Sequence, residues 1–353
     1  MKKHILCIAS LILILTVIAH AEEKKLLLKT PLCFATSMPV LGDSIPALAA
    51  DIEAASNGSI QIKYYEPGKL IPPFEILEAV SMGKVNAGFG SGAYWQGKIP
   101  EAALFSSIPF GPEADEYLAW LFKGNGMALY QEMYDKAGYN VKVLPYAIIS
   151  PETSGWFSKP INSPEDLKGL KMRFFGLGGN VMQKLGVAVS LLPAGEIFQA
   201  LEKGVIDATE FSFPAIDQKL GFYKIVKYNY YPGWHQQATI LEMLINKDTW
   251  NSMTPGQKAM VEMATKATII NTISHSEAIQ GKAIRENVET HGVNNMYWSD
   301  DMLALFERTW KEVAQEQAAQ SPAFKKIWDD LTAFRADYAY WKSLGFLPRK
   351  TKI

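Results

Sequence analysis

The chain has 353 residues, of which 48% are hydrophobic and 20% are charged, and its formal net charge is -1. This length suits two domains with substantial cores. The near-zero charge argues against nucleic acid and anionic membranes as partners, because both attract basic surfaces. Two cysteines are too few for a disulfide framework or for a cysteine-based metal site.

The first 21 residues have the pattern of a signal peptide. Lys2 and Lys3 precede an apolar run over residues 5–18, and residues 19–21 read Ala-His-Ala, a small-x-small cleavage pattern. The apolar run is short for a membrane-spanning helix, although a retained anchor is the alternative. We therefore predict that residues 1–21 are removed and that the mature protein resides in the periplasm, where a chain of this size is stable without a disulfide.

Segments of strand character alternate with helical segments along the chain. Residues 26–34 are apolar, and residues 59–65 alternate apolar and polar side chains. Helices are predicted to begin after Ser163 and after Thr254, since each is a capping residue followed by proline. Residues 299–340 have a helical pattern rich in Trp and Phe. This alternation predicts an α/β protein.

One pattern occurs twice. Residues 75–87 and 196–208 both read Glu-Ile-x-x-Ala-x-x-x-Gly-x-(Val/Ile)-(Asn/Asp)-Ala. Each copy predicts a helix that ends at a glycine and runs into a buried strand. Chance similarity is the alternative, because such units are common. A true repeat predicts two similar lobes, with residues 88–90 and 209–211 at equivalent strand ends that face one cleft.

Six further segments carry a resemblance to a known family: residues 94–98, 155–157, 170–179, 207–211, 219–223 and 231–235. In their order and spacing, the chain resembles the substrate-binding proteins of tripartite ATP-independent periplasmic (TRAP) transporters, within the branch for 2-oxo acids and other monocarboxylates. The resemblance implies a two-lobed, class II-like periplasmic binding protein whose lobes are joined by several crossings and a long helix. It also implies a small organic carboxylate as ligand, small and large sodium-driven membrane subunits as partners, and no catalysed reaction.

The lobe boundaries are predicted only approximately. Lobe I is expected to comprise residues 22–150 and about 240–280, and lobe II residues 151–239 and about 281–353, including a C-terminal helical segment. Relatives in this branch form dimers through that segment, so we predict a homodimer, with packing on its own lobe as the alternative. The segment's large aromatic residues are Trp310, Phe324, Trp328, Phe334, Tyr338 and Trp341.

Two charged residues match functional positions of the family. Arg173 corresponds to the arginine that clamps the ligand carboxylate, and its planar guanidinium suits two parallel hydrogen bonds to that group. A glycine turn and a helix over residues 181–185 follow it and would add backbone donors; a surface salt bridge is the alternative role. Glu210 corresponds to the glutamate that helps to bind a metal ion in the 2-oxo acid branch.

The chain departs from the family pattern at Glu152, where a glutamine is expected, and at residues 211–214, which read Phe-Ser-Phe-Pro instead of Trp-Val-Gly-Pro. If Glu152 and Glu210 both line the pocket, Arg173 alone does not neutralise them and an anionic ligand. A bound cation, a protonated glutamate or an amine on the ligand would each resolve this, as would a solvent-facing Glu152. Oxygen ligands favour Na⁺ or Ca²⁺, so we predict a cation that bridges a 2-oxo or 2-hydroxy carboxylate.

The candidate site follows from these matches. The predicted substrate-binding residues are Arg173, Glu152, Glu210, Tyr94, Trp95, Trp156, Phe174, Phe213 and Gln236, and the predicted metal ligands are Glu152, Glu210, Phe211 and Glu242. A hydrolase is disfavoured, because the sequence contains neither a Gly-x-Ser-x-Gly elbow nor a His-Glu-x-x-His pair. A receptor for another carboxylate or an amine-bearing acid, serving an ATP-driven importer or a sensor, stays open as the alternative.

Overall fold

The computed structural model describes residues 25–347, so the predicted signal peptide lies outside the described residues. The strands in this range are β1 (Leu26–Pro31), β2 (Ile60–Tyr65), β3 (Ala87–Gly90), β4 (Val141–Ile149), β5 (Gly155–Phe157), β6 (Lys171–Arg173), β7 (Ala188–Ser190), β8 (Ala208–Thr209), β9 (Tyr228–Tyr231), β10 (Thr239–Asn246) and β11 (Asn294–Tyr297). No helix among residues 25–347 is both long and apolar enough to cross a membrane.

The α-helices are α1 (Ser44–Ala55), α2 (Ile76–Ser81), α3 (Ala114–Lys123), α4 (Gly126–Lys136), α5 (Gly176–Lys184), α6 (Ala194–Glu202), α7 (Pro214–Leu220), α8 (Lys247–Asn251), α9 (Pro255–Glu289), α10 (Asp300–Gln320) and α11 (Pro322–Gly345). Short 3-10 helices lie at Pro73–Glu75, Gly92–Trp95, Pro100–Phe105, Pro164–Leu167 and Phe222–Lys224. The alternation of helices and strands agrees with the predicted α/β class.

The strands form two lobes. In lobe I, β10 pairs antiparallel with β3 on one side and β4 on the other, while β1 and β2 form a parallel pair that a bridge between Leu32 and Phe89 connects to β3. In lobe II, six strands lie in the order β11-β9-β5-β8-β6-β7. The chain crosses between the lobes at residues 150–154 and again at residues 232–238.

The long helix α9 also joins the lobes. It begins at a capping box formed by Thr254 and Gln257. The Oγ1 of Thr272 accepts a hydrogen bond from the Ile148 amide at the end of β4. Farther along the helix, Gln280 accepts one from the Ala215 amide in α7. The predicted two lobes, joined by several crossings and a long helix, are confirmed.

Both copies of the repeated sequence pattern form a helix, a glycine and a strand. α2 is followed by Gly83 and β3, and α6 is followed by Gly204 and β8. The two glycines have φ values of +69° and +67°, which side chains with a Cβ adopt only with strain. β3 and β8 belong to different lobes.

Three local predictions differ from the structure. The segment after Ser163 forms only the 3-10 turn Pro164–Leu167, although its capping box is present. The helix predicted over residues 181–185 begins earlier, at Gly176, because the predicted glycine turn is itself helical. The C-terminal helix α11, predicted to belong to lobe II, packs on α10 and also on α3, α4 and the 3-10 helix Pro100–Phe105 of lobe I.

The apolar residues of α11 explain its position. Phe324, Ile327 and Leu331 are buried, and Arg335 pairs with Glu116 in α3 of lobe I. A helical pattern identifies the apolar face of a helix but not its partner, so the sequence did not predict these contacts with lobe I. Its last turns carry exposed apolar side chains, including Tyr340, Trp341 and Leu344.

Candidate functional site

A small cavity lies between the lobes, beside the two chain crossings. It contains about 290 Å³ of space between atoms, part of which is open to solvent. Its wall is formed by residues from both lobes and both crossings: Phe34, Leu41, Ser91, Tyr94, Ile149, Glu152, Arg173, Phe175, Phe211, Gln236, Thr239 and Leu241. The rings of Tyr94 and Phe175 meet edge to face across the cleft, with their centres 5.1 Å apart. The lobes are therefore closed around this cavity.

Arg173 and Glu210 form a buried ion pair at the ends of two adjacent parallel strands. β6 ends at Arg173, and Glu210 follows the last residue of its neighbour β8. Nη1 of Arg173 donates to Oε1 of Glu210 (2.5 Å) and to its carbonyl oxygen (2.7 Å), while Nε donates to the Leu192 carbonyl (3.3 Å). The amide of Phe175, at the start of α5, donates to the same Glu210 oxygen (2.6 Å). Glu210 therefore fixes one edge of the guanidinium.

The other edge of the guanidinium is available to a ligand. Nη2 of Arg173 makes no hydrogen bond within residues 25–347. The Phe175 and Phe211 rings hold the guanidinium, with their centres 5.8 Å and 5.2 Å from Cζ. These contacts orient a permanent positive charge at the cavity wall, where it can bind a carboxylate.

Glu152 points into the same cavity from the first crossing. A Cβ at Gly233 would lie 2.1 Å from the Glu152 carbonyl oxygen, so only glycine permits the two crossings to approach this closely. Glu152 is 5% exposed, and its Oε1 accepts a hydrogen bond from the Thr239 hydroxyl at 3.5 Å. Its Oε2 is buried without a hydrogen-bond partner. The alternative in which Glu152 faces solvent is therefore wrong.

The two glutamates have opposite electrostatic environments. Burial raises the pKa of Glu152 well above its ordinary value, and the carboxylates of Glu210 and Asp217 raise it further. Burial also acts to raise the pKa of Glu210, but the charge of Arg173 and the hydrogen bonds from His235 and the Phe175 amide outweigh it, so this pKa lies below its ordinary value. Glu210 forms an ion pair with Arg173, whereas the charge of Arg173 only partly offsets the effects that raise the pKa of Glu152.

His235 completes a cluster that could hold a metal ion. One donor atom from each of Glu152, Glu210 and His235 lies within 4.8 Å of the others. Nε2 of His235 is 3.4 Å from Oε2 of Glu210 and 4.0 Å from Oε2 of Glu152. The sequence analysis predicted no role for this histidine, because its two partners are distant along the chain. Its position in the matched segment 231–235 was the available signal.

The structure contradicts the prediction that Glu242 binds a metal. Glu242 lies in lobe I, where it accepts hydrogen bonds from Trp95 Nε1 (2.5 Å), from Tyr134 (2.8 and 2.9 Å) and from Tyr130. Its oxygens are thus occupied within the protein, and it does not line the cavity. Trp95, predicted to contact substrate, is fully buried as one of these donors. Both residues stabilise lobe I and do not line the site.

Three other predicted aromatic contacts lie behind the cavity wall. Trp156 donates from Nε1 to Oδ2 of Asp217 at 2.8 Å, which anchors the start of α7. Phe174 packs against the His235 ring, with centres 4.9 Å apart. Phe213 is completely buried immediately before α7. These residues support the site from the core, so the prediction that they contact the ligand is corrected.

Of the predicted residues, Arg173, Glu152, Tyr94, Gln236 and Phe211 line the cavity, and Glu210 contacts it through Arg173. Gln236 donates to the Thr239 hydroxyl at 2.8 Å, and its Oε1 is buried without a partner. Sequence reasoning missed the remaining wall, because apolar residues in strands and loops carry no signal that separates a cavity from a core: Phe34, Leu41, Ser91, Ile149, Phe175, Thr239 and Leu241.

The family of the chain is shown by comparison with known proteins. The model of the bacterial extracellular solute-binding proteins, family 7, matches residues 35–321. The chain belongs to this family. It is 36% identical over 315 residues to a monocarboxylate 2-oxoacid-binding periplasmic protein of Nostoc, in an alignment that covers 88% of this chain and 86% of the relative.

Solved structures of family members agree with the fold. A TRAP transporter solute-binding protein of Bordetella bronchiseptica, a mixed-occupancy dimer with copurified calcium and picolinate, has a TM-score of 0.88 and 28% identity, covering 91% of this chain and 95% of that chain. A TRAP protein of Pseudoalteromonas atlantica with bound sodium and pyruvate has a TM-score of 0.87 and 29% identity, covering 91% and 97%. The resemblance to TRAP solute receptors, which are periplasmic binding proteins and not enzymes, is confirmed.

Proposed function

We propose that this family member binds a small 2-oxo or 2-hydroxy monocarboxylate together with a bridging cation, and delivers it to the small and large TRAP membrane subunits without catalysing a reaction. The observation that carries this proposal is the buried Arg173, whose free guanidinium edge faces a closed cavity between two lobes. The ligands of its relatives support the same class, since pyruvate and picolinate are both small monocarboxylates.

The cavity favours a single carboxylate on a short apolar body. Arg173 is the only Lys or Arg side chain among the described cavity-lining residues. The wall also contains Leu41, Ile149 and Leu241, whose side chains offer no hydrogen bonds to a polar group. A second carboxylate would lose its hydration there without compensation, which is energetically costly. We therefore propose that dicarboxylates are excluded.

The residues at the cavity fit a bridging cation. Glu152 Oε2 is a buried carboxylate oxygen without a partner, and it lies beside Glu210 and His235 in the cluster described above. Hard cations such as Ca²⁺ and Na⁺ bind oxygen ligands, and relatives of this chain were found with one or the other. Such an ion would neutralise the charge between Glu152 and the ligand carboxylate. Phe211 stays a proposed neighbour of the ion.

Lobe closure is the proposed mechanism of ligand capture. Gln96 of lobe I donates to Oδ1 of Asn180 in α5 of lobe II at 2.7 Å, and the Phe110 amide donates to the Trp234 carbonyl of the second crossing at 2.7 Å. A ligand that contacts both lobes binds the closed form better and shifts the equilibrium towards it. The closed form would then be the one that the membrane subunits recognise.

Calorimetric titration of the mature protein tests the proposal. Pyruvate is expected to bind, whereas pyruvamide, its neutral isostere, and oxaloacetate, which adds a second carboxylate, are not. Equal binding of pyruvate and pyruvamide would contradict the role of Arg173. Binding of alanine in place of pyruvate would favour the alternative class of amine-bearing acids.

Two further measurements test the proposed export to the periplasm and the proposed type of transporter. We propose that residues 1–21 are cleaved on export, so N-terminal sequencing of periplasmic protein should begin at Glu22. Uptake into vesicles that contain the membrane subunits should depend on a sodium gradient. Uptake that depends on ATP and not on sodium would instead assign the receptor to an ATP-driven importer.

A further inference from the structure

We propose that Glu152 makes this pocket selective for a divalent cation, Ca²⁺, over Na⁺. This inference rests on the proposed function, since it concerns the ion that bridges the ligand. It depends on the charges that face the cavity, on the position of His235 beside Glu210, and on the chemistry of the available donor atoms.

The fixed charges leave two negative groups to neutralise. Arg173 and Glu210 form a buried ion pair, so together they contribute no net charge. Coordination of a cation requires the ionised form of Glu152, so Glu152 and the incoming carboxylate are then two anions that share a cavity with no second Lys or Arg among its described lining residues. Ca²⁺ neutralises both, whereas Na⁺ leaves one unpaired charge in a site where burying such a charge is costly.

His235 lies behind the cavity wall and contacts the site through Glu210. Nε2 of His235 is 3.4 Å from Oε2 of Glu210, and Nδ1 is buried without a hydrogen-bond partner. One ring nitrogen therefore faces the cluster, where it can orient Glu210 or contact the ion.

The donor atoms favour calcium among divalent ions. The carboxylates of Glu152 and Glu210 are oxygen donors, and a 2-oxo acid adds two further oxygens. Ca²⁺ accepts six to eight oxygens in irregular geometry, whereas Mg²⁺ requires a near-ideal octahedron. Transition metals prefer sites richer in nitrogen or sulfur, and here His235 offers at most one nitrogen.

The test compares the two ions on mature protein that has been stripped with chelator and dialysed into a choline salt. Thermal unfolding without ligand and calorimetric titration with pyruvate are each measured with calcium chloride or sodium chloride at matched ionic strength. Calcium is expected to raise the unfolding midpoint and to support pyruvate binding, whereas sodium is expected to do neither.

The Glu152→Gln variant removes one negative charge and keeps the side-chain shape. Because ligand charge tunes calcium affinity over orders of magnitude, we expect calcium binding to weaken on the order of a hundredfold. We also expect sodium to support pyruvate binding in this variant. Glu242→Gln is the matched control, since it replaces a buried glutamate of lobe I whose oxygens face Trp95 and two tyrosines. Its ion preference should equal that of the wild type.

The outcomes separate the inference from the function on which it rests. Wild-type protein that binds pyruvate as well with sodium as with calcium would overturn the inference, because Glu152 would then be neutral or need no divalent partner. A Glu152→Gln variant that keeps the calcium preference would overturn it as well. Protein that binds pyruvate under no ionic condition would instead contradict the proposed function. The wild-type comparison stands even if the variant does not fold.

Discussion

Replacing Arg173 by alanine is expected to abolish most of the ligand affinity, because it removes the only guanidinium in the cavity wall. The lost groups are the free Nη2 edge that we assign to the ligand carboxylate and the partner of the buried Glu210. Truncating one member of a buried, hydrogen-bonded charge pair costs about 2–5 kcal/mol of binding free energy. A loss near the middle of this range corresponds to roughly 300-fold weaker binding at about 1.4 kcal/mol per tenfold change.

The same substitution should also destabilise the protein. Glu210 would remain buried with only the Phe175 amide and His235 as polar neighbours. Breaking a buried pair in this way costs about 3–5 kcal/mol of unfolding free energy. A lower denaturation midpoint should therefore accompany the loss of affinity, and titrations should be run well below that midpoint.

Two variants serve as controls in the same calorimetric titration. Lys326→Ala removes an exposed ion pair between α11 and α4, in which Nζ lies 2.7 Å from the Glu132 carboxylate, and should leave affinity unchanged. Arg173→Lys keeps the charge but loses the planar fork, so its affinity should fall between those of the wild type and Arg173→Ala. A folded Arg173→Ala variant with wild-type affinity would refute the assignment of the carboxylate to this residue.

Three further predictions concern closure, pH dependence and assembly. Gln96→Ala and Asn180→Ala should each weaken ligand binding by about two- to tenfold through faster dissociation in stopped-flow experiments, because one interlobe hydrogen bond contributes about 0.5–1.5 kcal/mol. Burial raises the pKa of Glu242, so the stability it contributes is present below the ordinary carboxyl range and is lost as pH rises through its raised value. In urea denaturation, the free energy of unfolding of Glu242→Gln should therefore rise relative to that of the wild type, by up to about 1.4 kcal/mol per pH unit between the ordinary carboxyl pKa and the raised one. A difference that does not change with pH would contradict this. Sedimentation should show a dimer that Trp341→Ser with Leu344→Ser dissociates, since both side chains are exposed, and a monomeric wild type would remove the dimer proposal.

The features predicted correctly from the sequence are those that local patterns encode. A glycine and the periodicity of its neighbours were enough to predict each of the two helix–glycine–strand units. These units located the strand ends beside the cleft. Arg173 and Glu210 lie at such ends, where strand order alone brings distant residues together. The family resemblance suggested that Glu152 lines the pocket, and its burial agrees with that suggestion.

The features that were missed depend on contacts between distant parts of the chain. Glu242 was assigned to a metal because a carboxylate near a matched segment resembles a ligand, yet three donors from two other segments satisfy it. Trp156 was assigned to the ligand, although its indole donates to Asp217 in the core. His235 was overlooked because the glutamates beside it lie 25 and 83 positions earlier in the sequence. Only the folded chain shows which aromatic and acidic residues reach the cavity.

A crystal structure of the mature protein with pyruvate and calcium tests the central claim most directly. The account predicts that the pyruvate carboxylate lies on the Nη2 edge of Arg173, with the ion between the ligand and Glu152 and the two lobes closed as described. A ligand bound outside this cavity, or inside it with no contact to Arg173, would contradict the account.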